Sequence, residues 1–284
     1  MYGSNSMLYV RMGVTMLLMG VVYILFMAAL SVYVTEIWIL ITIMSVFLFI
    51  QYFYSEKLAL KSMNAKTVSE EEYPELHSMV SRLSMQADVP KPTVAISSAP
   101  MMNAFAAGRN QKNATVCVTE ELMKELTEEE LEGVIAHEIA HIKNRDVAIM
   151  TIASFFSTIA FLIVRFGMYG NTRNNNMLLA IVISLVVWVI STILLKALSR
   201  YREYVADRGA ASITGNPLAL ASALQKISGT NSSVPKEDLR EHSSMNAFYI
   251  SSIDGGRITN LLSTHPKTEK RIQQLKDLSR DQHK

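Results

Sequence analysis

The stretch His137-Glu138-Ile139-Ala140-His141 carries the strongest signal in the chain. Two histidines four residues apart lie about 40° apart around a helix, so both imidazoles can reach one cation. A glutamate beside the first histidine is then placed to activate a water molecule. The preceding Thr127-Glu128-Glu129-Glu130 offers a threonine N-cap, an acidic first turn and a glutamate at the capping-box position. We therefore predict a helix that bears a catalytic zinc site, with His137 and His141 as ligands and Glu138 as general base.

Four apolar blocks flank this stretch, and each is long enough to cross a bilayer, which takes roughly 20 residues. The chain has 284 residues, of which half are hydrophobic and only 18% are charged. We expect four transmembrane helices, although the second pair of blocks is shorter and could instead form a buried hairpin. The blocks run from about Met12 to Val34, Ile37 to Tyr54, Val147 to Val164 and Met177 to Leu195.

Basic residues near these blocks predict the orientation of the chain in the membrane. Thr35-Glu36, between the first two blocks, has no Lys or Arg, and the loop 167–176 carries only Arg173. Lysines and arginines instead follow the second and fourth blocks, so both termini and the soluble part are expected in the cytoplasm. The first block is long and ends without an Ala-x-Ala site, which favours a retained anchor over a cleaved signal peptide.

Composition argues against nucleic-acid binding and against catalysis by a cysteine nucleophile. The net charge of +2 gives no reason to expect a nucleic-acid partner. Cys117 is the single cysteine, so the chain has no internal disulfide and fits a reducing compartment. Its neighbours Thr115-Val116 and Val118 make Cys117 a buried strand residue rather than a nucleophile.

The pattern between the apolar blocks predicts an α-helical membrane protein with a small, mainly α (α+β) catalytic part. We expect a helix over Pro74 to Ala87 and a small antiparallel sheet, followed by the metal-binding helix. A helical stretch from Ser199 to Ser228 is interrupted at Gly215-Asn216-Pro217. The strands are expected at Thr93 to Ser97, Asn103 to Ala107 and Ala114 to Thr119. The chain divides into a first hairpin (1–54), a catalytic segment (55–146), a second hairpin (147–198) and a C-terminal catalytic segment (199–284).

Glu203 is the candidate for the third protein ligand that a catalytic zinc requires. His141 precedes the third apolar block by about one and a half helical turns, and Glu203 follows the fourth by about two. An antiparallel hairpin of those two blocks would return Glu203 to the depth of the histidines. The alternative is that Glu203 only pairs with a neighbouring arginine such as Arg202.

Asp207 lies four residues after Glu203 and shares its helix face. A carboxylate there could accept a hydrogen bond from a ligand imidazole and fix its tautomer. It could equally be a surface ion-pair partner near Arg208.

Four motifs in this order closely resemble the HtpX family of membrane zinc metalloproteases. They are 136–146 around the histidine pair, Ser199 to Asp207, Asn103 to Gly108, and Ser263 to Arg271. The resemblance covers essentially the whole chain and implies a zincin-like domain of the gluzincin type, with one Zn²⁺ held by His137, His141 and Glu203. It also implies ATP-independent cleavage of damaged or misfolded membrane proteins at the cytoplasmic face. The last motif departs from the family pattern, because Lys267 and Lys270 stand where a proline and an acidic residue are more usual.

The resemblance also implies roles in substrate handling. The segment Asn103, Ala104, Phe105 and Ala106 is similar to the edge strand that binds substrate backbone in zincins, although it could be an ordinary strand of the sheet. His265 is similar to a histidine thought to donate to the oxyanion in related prenyl-protein endopeptidases; otherwise it only begins a helix before Pro266. Arg271 is placed to orient His265 or the substrate.

Two other functions compete with a protease of membrane quality control. A CAAX-type prenyl-protein endopeptidase shares these motifs, but such enzymes resemble a larger cage with more spans. A non-catalytic membrane scaffold or holdase with a structural metal would not need Glu138, and structural zinc is usually held by four protein ligands. The expected partners are the lipid bilayer and polypeptide substrates.

Overall fold

The computed structural model describes residues 5–33, 37–167, 175–231 and 266–282. The described residues form two compact units. The helical unit takes in 3–53 and 149–199, and the site unit takes in 54–148 and 200–284. These boundaries lie close to the predicted segment ends at 54, 146 and 198.

The helical unit is built from long apolar helices. Three of the helices in the described residues are long and apolar enough to cross a membrane, over Ser6–Leu30, Asp146–Arg165 and Leu178–Thr214. The second predicted block is also helical, but many of its side chains lie outside the described residues, so its role as a span stays a prediction. The helices are α1 (Asn5–Tyr33), α2 (Ile37–Ser62), α6 (Asp146–Gly167) and α7 (Asn175–Thr214). Helices α2, α6 and α7 each have some of their residues in the site unit.

The described residues of the site unit form five further helices. The first, α3, spans Pro74–Ala87 as predicted, begins with proline at its first position and ends at Asp88 in the left-handed region. The predicted break after α7 is confirmed, because α7 ends at Thr214 and α8 begins at Pro217. The remaining helices are α4 (Glu120–Glu125), α5 (Glu128–Lys143), α8 (Pro217–Asn231) and α9 (Thr268–Gln282).

A four-stranded sheet in the order β1-β2-β4-β3 accompanies these helices. β2 and β4 run parallel, whereas β1–β2 and β3–β4 are antiparallel, so the prediction of a purely antiparallel sheet was wrong. The reason is that β3 and β4 form a hairpin whose second strand pairs with β2, which leaves β3 at the edge. The strands are β1 (Ala65–Thr67), β2 (Thr93–Ser97), β3 (Ala104–Asn110) and β4 (Asn113–Thr119).

Helix α5 is the central element of the site unit. Its N-terminus has the predicted capping box, in which Thr127 and Glu130 each bond the other's backbone N–H. The helix packs against α3, α8 and β3, and Val134, Ile135 and Ile139 are fully buried in the core. Burial on several sides leaves α5 little freedom to rotate, so the direction of its histidines is fixed by the core.

Candidate metal centre

The predicted ligands meet at one point in the site unit. The ligand atoms of His137, His141 and Glu203 all lie within 4.8 Å of one another. The two imidazole Nε2 atoms are 3.1 Å apart, and the Glu203 oxygens are 3.6 Å from the His137 Nε2 and 3.5 Å from the His141 Nε2. Ligand atoms around a tetrahedral zinc are about 3.3 Å apart, given zinc–ligand bonds of about 2.0–2.1 Å. The three side chains therefore fit a zinc ion.

The charges of the surrounding groups also fit a divalent cation. Four of the described carboxylates and two of the described guanidinium groups lie at the site, so carboxylates outnumber guanidinium groups in this set. Burial alone lowers the pKa of His137, but the adjacent Asp207 and Glu203 carboxylates raise it to about 9. The site thus favours positive charge at the position of the ligands. The set is Glu138, Asp146, Glu203 and Asp207 with Arg202 and Arg271.

A second group of residues lies behind His137. Asp207 Oδ1 is 3.0 Å from the His137 Nδ1, as predicted, and only 1% of Asp207 is exposed, which removes the alternative of a surface ion pair. Arg271 donates from Nε and Nη2 to the two Asp207 oxygens at 2.8 and 2.6 Å. Its Nη1 lies 3.1 Å from a Glu203 oxygen.

Arg271 lies behind the candidate ligands, and its predicted role toward His265 or the substrate stays a prediction. Arg271 is 1% exposed and its guanidinium is engaged by two carboxylates. Its Nη2 also lies 3.3 Å from the His137 Nε2, so the guanidinium contacts Asp207, Glu203 and His137. His265 itself lies outside the described residues.

Glu138 is 4% exposed and lies next to the ligand cluster. Burial raises the pKa of its carboxyl, and the Glu203 carboxylate adds to that effect. The two histidines and the backbone N–H of Ala106, which donates to Glu138, act in the opposite direction without cancelling the rise. A carboxyl with a raised pKa takes up a proton more readily than an ordinary glutamate does, as a general base must.

The predicted substrate strand is one of the two edge strands of the sheet. Ala104, Phe105 and Ala106 belong to β3, whereas Asn103 precedes it and its backbone bonds Thr119. Because the Ala106 N–H faces Glu138, that edge of β3 is turned toward the site. A groove lined by residues 106–110 of β3 also contacts His141.

Two close approaches set the position of the helices that carry the ligands. A Cβ added at Gly209 of α7 would be 2.8 Å from the Cβ of Ala140, which lies between the two histidines on α5. A Cβ added at Gly133 of α5 would be 3.0 Å from the backbone of Leu220 in α8. Both contacts exist only because the glycines have no side chain.

Sequence reasoning missed two groups near His141. Asp146 Oδ2 lies 2.5 Å from the His141 Nδ1, and Asp146 Oδ1 lies 2.9 Å from Arg202 Nε. The available signal was an acidic residue three positions after the last residue of the motif helix. Cys117, in contrast, is buried as predicted, and burial raises the pKa of its thiol to about 12, which excludes a nucleophile.

Comparison with known proteins agrees with this geometry. The family model described as Peptidase family M48 matches residues 70–279, which is most of the chain. The chain belongs to peptidase family M48. Within it, the chain is 50% identical to Protease HtpX homolog 2 of Methanosarcina mazei over 95% of both chains. It is 47% identical to the Protease HtpX homolog of Moorella thermoacetica over 98% of this chain and 97% of the relative. The predicted resemblance to the HtpX family is confirmed.

The fold is also similar to that of a solved structure. The crystal structure of S. mikatae Ste24p matches with a TM-score of 0.57 at 16% sequence identity, over 95% of this chain and 67% of that one. At this identity the likeness supports the fold. Together with the apolar helices, the family assignment makes this M48 chain a membrane-bound metalloendopeptidase.

Proposed function

We propose that this M48 peptidase is a zinc endopeptidase whose ion is held by His137, His141 and Glu203. The observation that carries the proposal is the meeting of those three side chains, two from α5 and one from α7, within 4.8 Å. The open side of such a three-ligand site is where water or a peptide carbonyl would bind. Zinc bound there would polarise the scissile carbonyl and make a water molecule more acidic.

Glu138 is the proposed general base. It would accept a proton from the attacking water and pass it to the amine that leaves when the peptide bond breaks. Its burial and raised pKa support both transfers. The Ala106 N–H that donates to Glu138 would hold the carboxylate in line with the edge strand.

The substrate backbone is proposed to pair with β3. In an antiparallel pair, the N–H and C=O of one residue point to the same side, successive residues point to opposite sides, and residues two apart therefore point to the same side. Because the Ala106 N–H points toward Glu138, the backbone of Ala104 also faces away from β4. A substrate strand added there would lie across the metal centre. His265 stays proposed as an oxyanion donor on its resemblance alone.

We further propose that the substrates are damaged or misfolded membrane proteins and that the site faces the cytoplasm. The support is the distribution of basic residues and the names of the HtpX relatives. This role would belong to membrane protein quality control under stress.

The fold likeness to Ste24p keeps a CAAX-type prenyl-protein endopeptidase as the second candidate. Cleavage of casein but not of a farnesylated CAAX peptide by the detergent-purified chain would favour the first function. The reverse preference would favour the second. A holdase with a structural metal would cleave neither.

The decisive test compares Glu138→Gln with wild type. We expect the activity to fall by about 10²- to 10⁴-fold, because the variant cannot accept the proton. Zinc content should stay near one ion per chain, and a chelator should abolish wild-type activity. Glu129→Gln is the matched control, since Glu129 is an exposed residue of the same helix. Wild-type activity in Glu138→Gln would disprove the mechanism.

A further inference from the structure

Asp146 lies between a metal ligand and an arginine. It is the first residue of α6 and is 1% exposed. One carboxylate oxygen is 2.5 Å from the His141 Nδ1, and the other is 2.9 Å from Arg202 Nε. A buried carboxylate in such a position needs a positive or hydrogen-donating partner on each side, and both are present.

The short connection between α5 and α6 brings Asp146 to this place. Only Asn144 and Arg145 separate the two helices, and the Arg145 N–H donates to the carbonyl of Ile142. Arg145 has φ +55°, in the left-handed region that few residues other than glycine adopt. This reversal turns the chain back so that its next residue meets the imidazole of His141. The fold thus tolerates an unfavourable backbone conformation immediately before Asp146.

The arrangement around His141 repeats the one around His137. In both, a buried aspartate contacts the Nδ1 of the ligand and an arginine contacts the aspartate: Asp207 with Arg271 for one, Asp146 with Arg202 for the other. Arg202 also directly precedes the third ligand in α7. One turn of α7 therefore supplies the candidate ligand Glu203 and the arginine that contacts the aspartate next to His141.

A carboxylate at Nδ1 has a defined effect on an imidazole. It requires a proton on Nδ1, which leaves the Nε2 lone pair for the ion, and its charge makes that nitrogen a stronger donor to the metal. It also fixes the ring orientation, which is needed at His141 because 14% of its side chain is exposed, against 1% for His137.

We propose that Asp146 is a positioning residue that orients His141 toward the metal and that Arg202 holds Asp146 in place. This rests on the proposed metal site. Asp146 acts through His141 and does not touch the substrate.

The test measures zinc affinity rather than activity. The full chain carrying Glu138→Gln, which prevents self-cleavage, is purified in detergent and titrated with zinc against a chromogenic chelator. Asp146→Ala should weaken zinc binding by about 10- to 100-fold. Asp146→Asn should give a smaller loss, because its amide oxygen can still accept from Nδ1, and Arg202→Gln a smaller loss again. The visible spectrum of the Co²⁺-loaded protein should shift in Asp146→Asn, because the ligand environment of the ion changes.

Two controls make the result decisive. Glu132→Gln removes another ion pair of α5, that with Arg82, and should change neither zinc affinity nor the cobalt spectrum. Glu203→Ala should abolish tight binding. If Asp146→Ala fails to fold, the zinc affinity and the cobalt spectrum of Asp146→Asn decide whether Asp146 has the proposed role. Zinc affinity within threefold of the parent together with an unchanged cobalt spectrum would overturn the role of Asp146. If Glu203→Ala also binds zinc normally, the metal site itself is wrong.

Discussion

Among the described residues, the bulkiest buried side chains of the helical unit are apolar, whereas the site unit buries charged side chains beside its apolar core. In the described residues of the helical unit, the bulkiest fully buried side chains are Phe26, Leu8 and Leu30, and the outer surface is also apolar, with Leu17 69% and Ile24 70% exposed. Of the site-unit residues that the structure describes, the bulkiest fully buried side chain is that of Arg271. A surrounding of lipid explains the first pattern, because apolar side chains gain nothing there by moving inward. A buried arginine, in contrast, requires charged partners, and these are the residues of the metal centre.

Arg271→Ala has the largest expected effect and tests whether the buried charges of the site unit depend on this arginine. The change leaves the buried Asp207 and Glu203 without their guanidinium, so we expect the metal-free protein to lose about 3–5 kcal/mol of stability. The thermal unfolding midpoint in detergent measures the loss. Arg280→Ala is the control on the same helix, because Arg280 is exposed and its ion pair with Asp277 is long, at 3.9 Å. A loss below about 1 kcal/mol would mean that Arg271 is not essential to the buried charge network.

Leu17→Arg tests the helical unit, by placing a charge on the apolar outer surface of α1. Leu17 lies near the centre of the span Ser6–Leu30, where an arginine costs about 2.5–3.5 kcal/mol of insertion free energy. We expect less protein in the membrane fraction after an alkaline wash. Met85→Arg is the matched control, since Met85 is equally exposed, at 72%, but belongs to α3 of the site unit. Equal recovery of the two variants would contradict a lipid-facing surface on α1.

Glu130→Gln tests a buried charge of the site unit away from the metal. Although burial acts to raise the pKa of Glu130, bonds from Lys226, Ser222 and the Thr127 N–H lower it overall. A lowered folded-state pKa stabilises the protein above the unfolded value of about 4.3, and this contribution is lost as the pH falls through the folded value. We expect a loss of about 1–2 kcal/mol at pH 7 that shrinks below about pH 4. A loss that is independent of pH would show that the charge is irrelevant.

Local signals in the sequence predicted much of this structure. The bounds of α3, the capping box at Thr127 and the break before Pro217 all depend on residues within one or two turns. The hairpin argument placed Glu203 beside the histidines, because membrane-spanning lengths fix where a chain returns.

Long-range pairing could not be predicted in the same way. No local pattern shows that β4 lies between β2 and β3, and β1 is three residues long without apolar alternation. The positions of Arg202 and Arg271 were also missed in part. An arginine in a sequence is normally a surface residue, and only the carboxylates brought to it by the fold make its burial favourable.

The contact between Gly209 and Ala140 has a consequence for changing this enzyme by directed evolution. At this contact α5 and α7 are separated only by the Cα hydrogens of Gly209 and the methyl group of Ala140. Any larger side chain would separate the helices and draw Glu203 away from the imidazoles. Libraries that aim for new substrates therefore have no room to vary at this pair of positions, even though neither residue bears a reactive group.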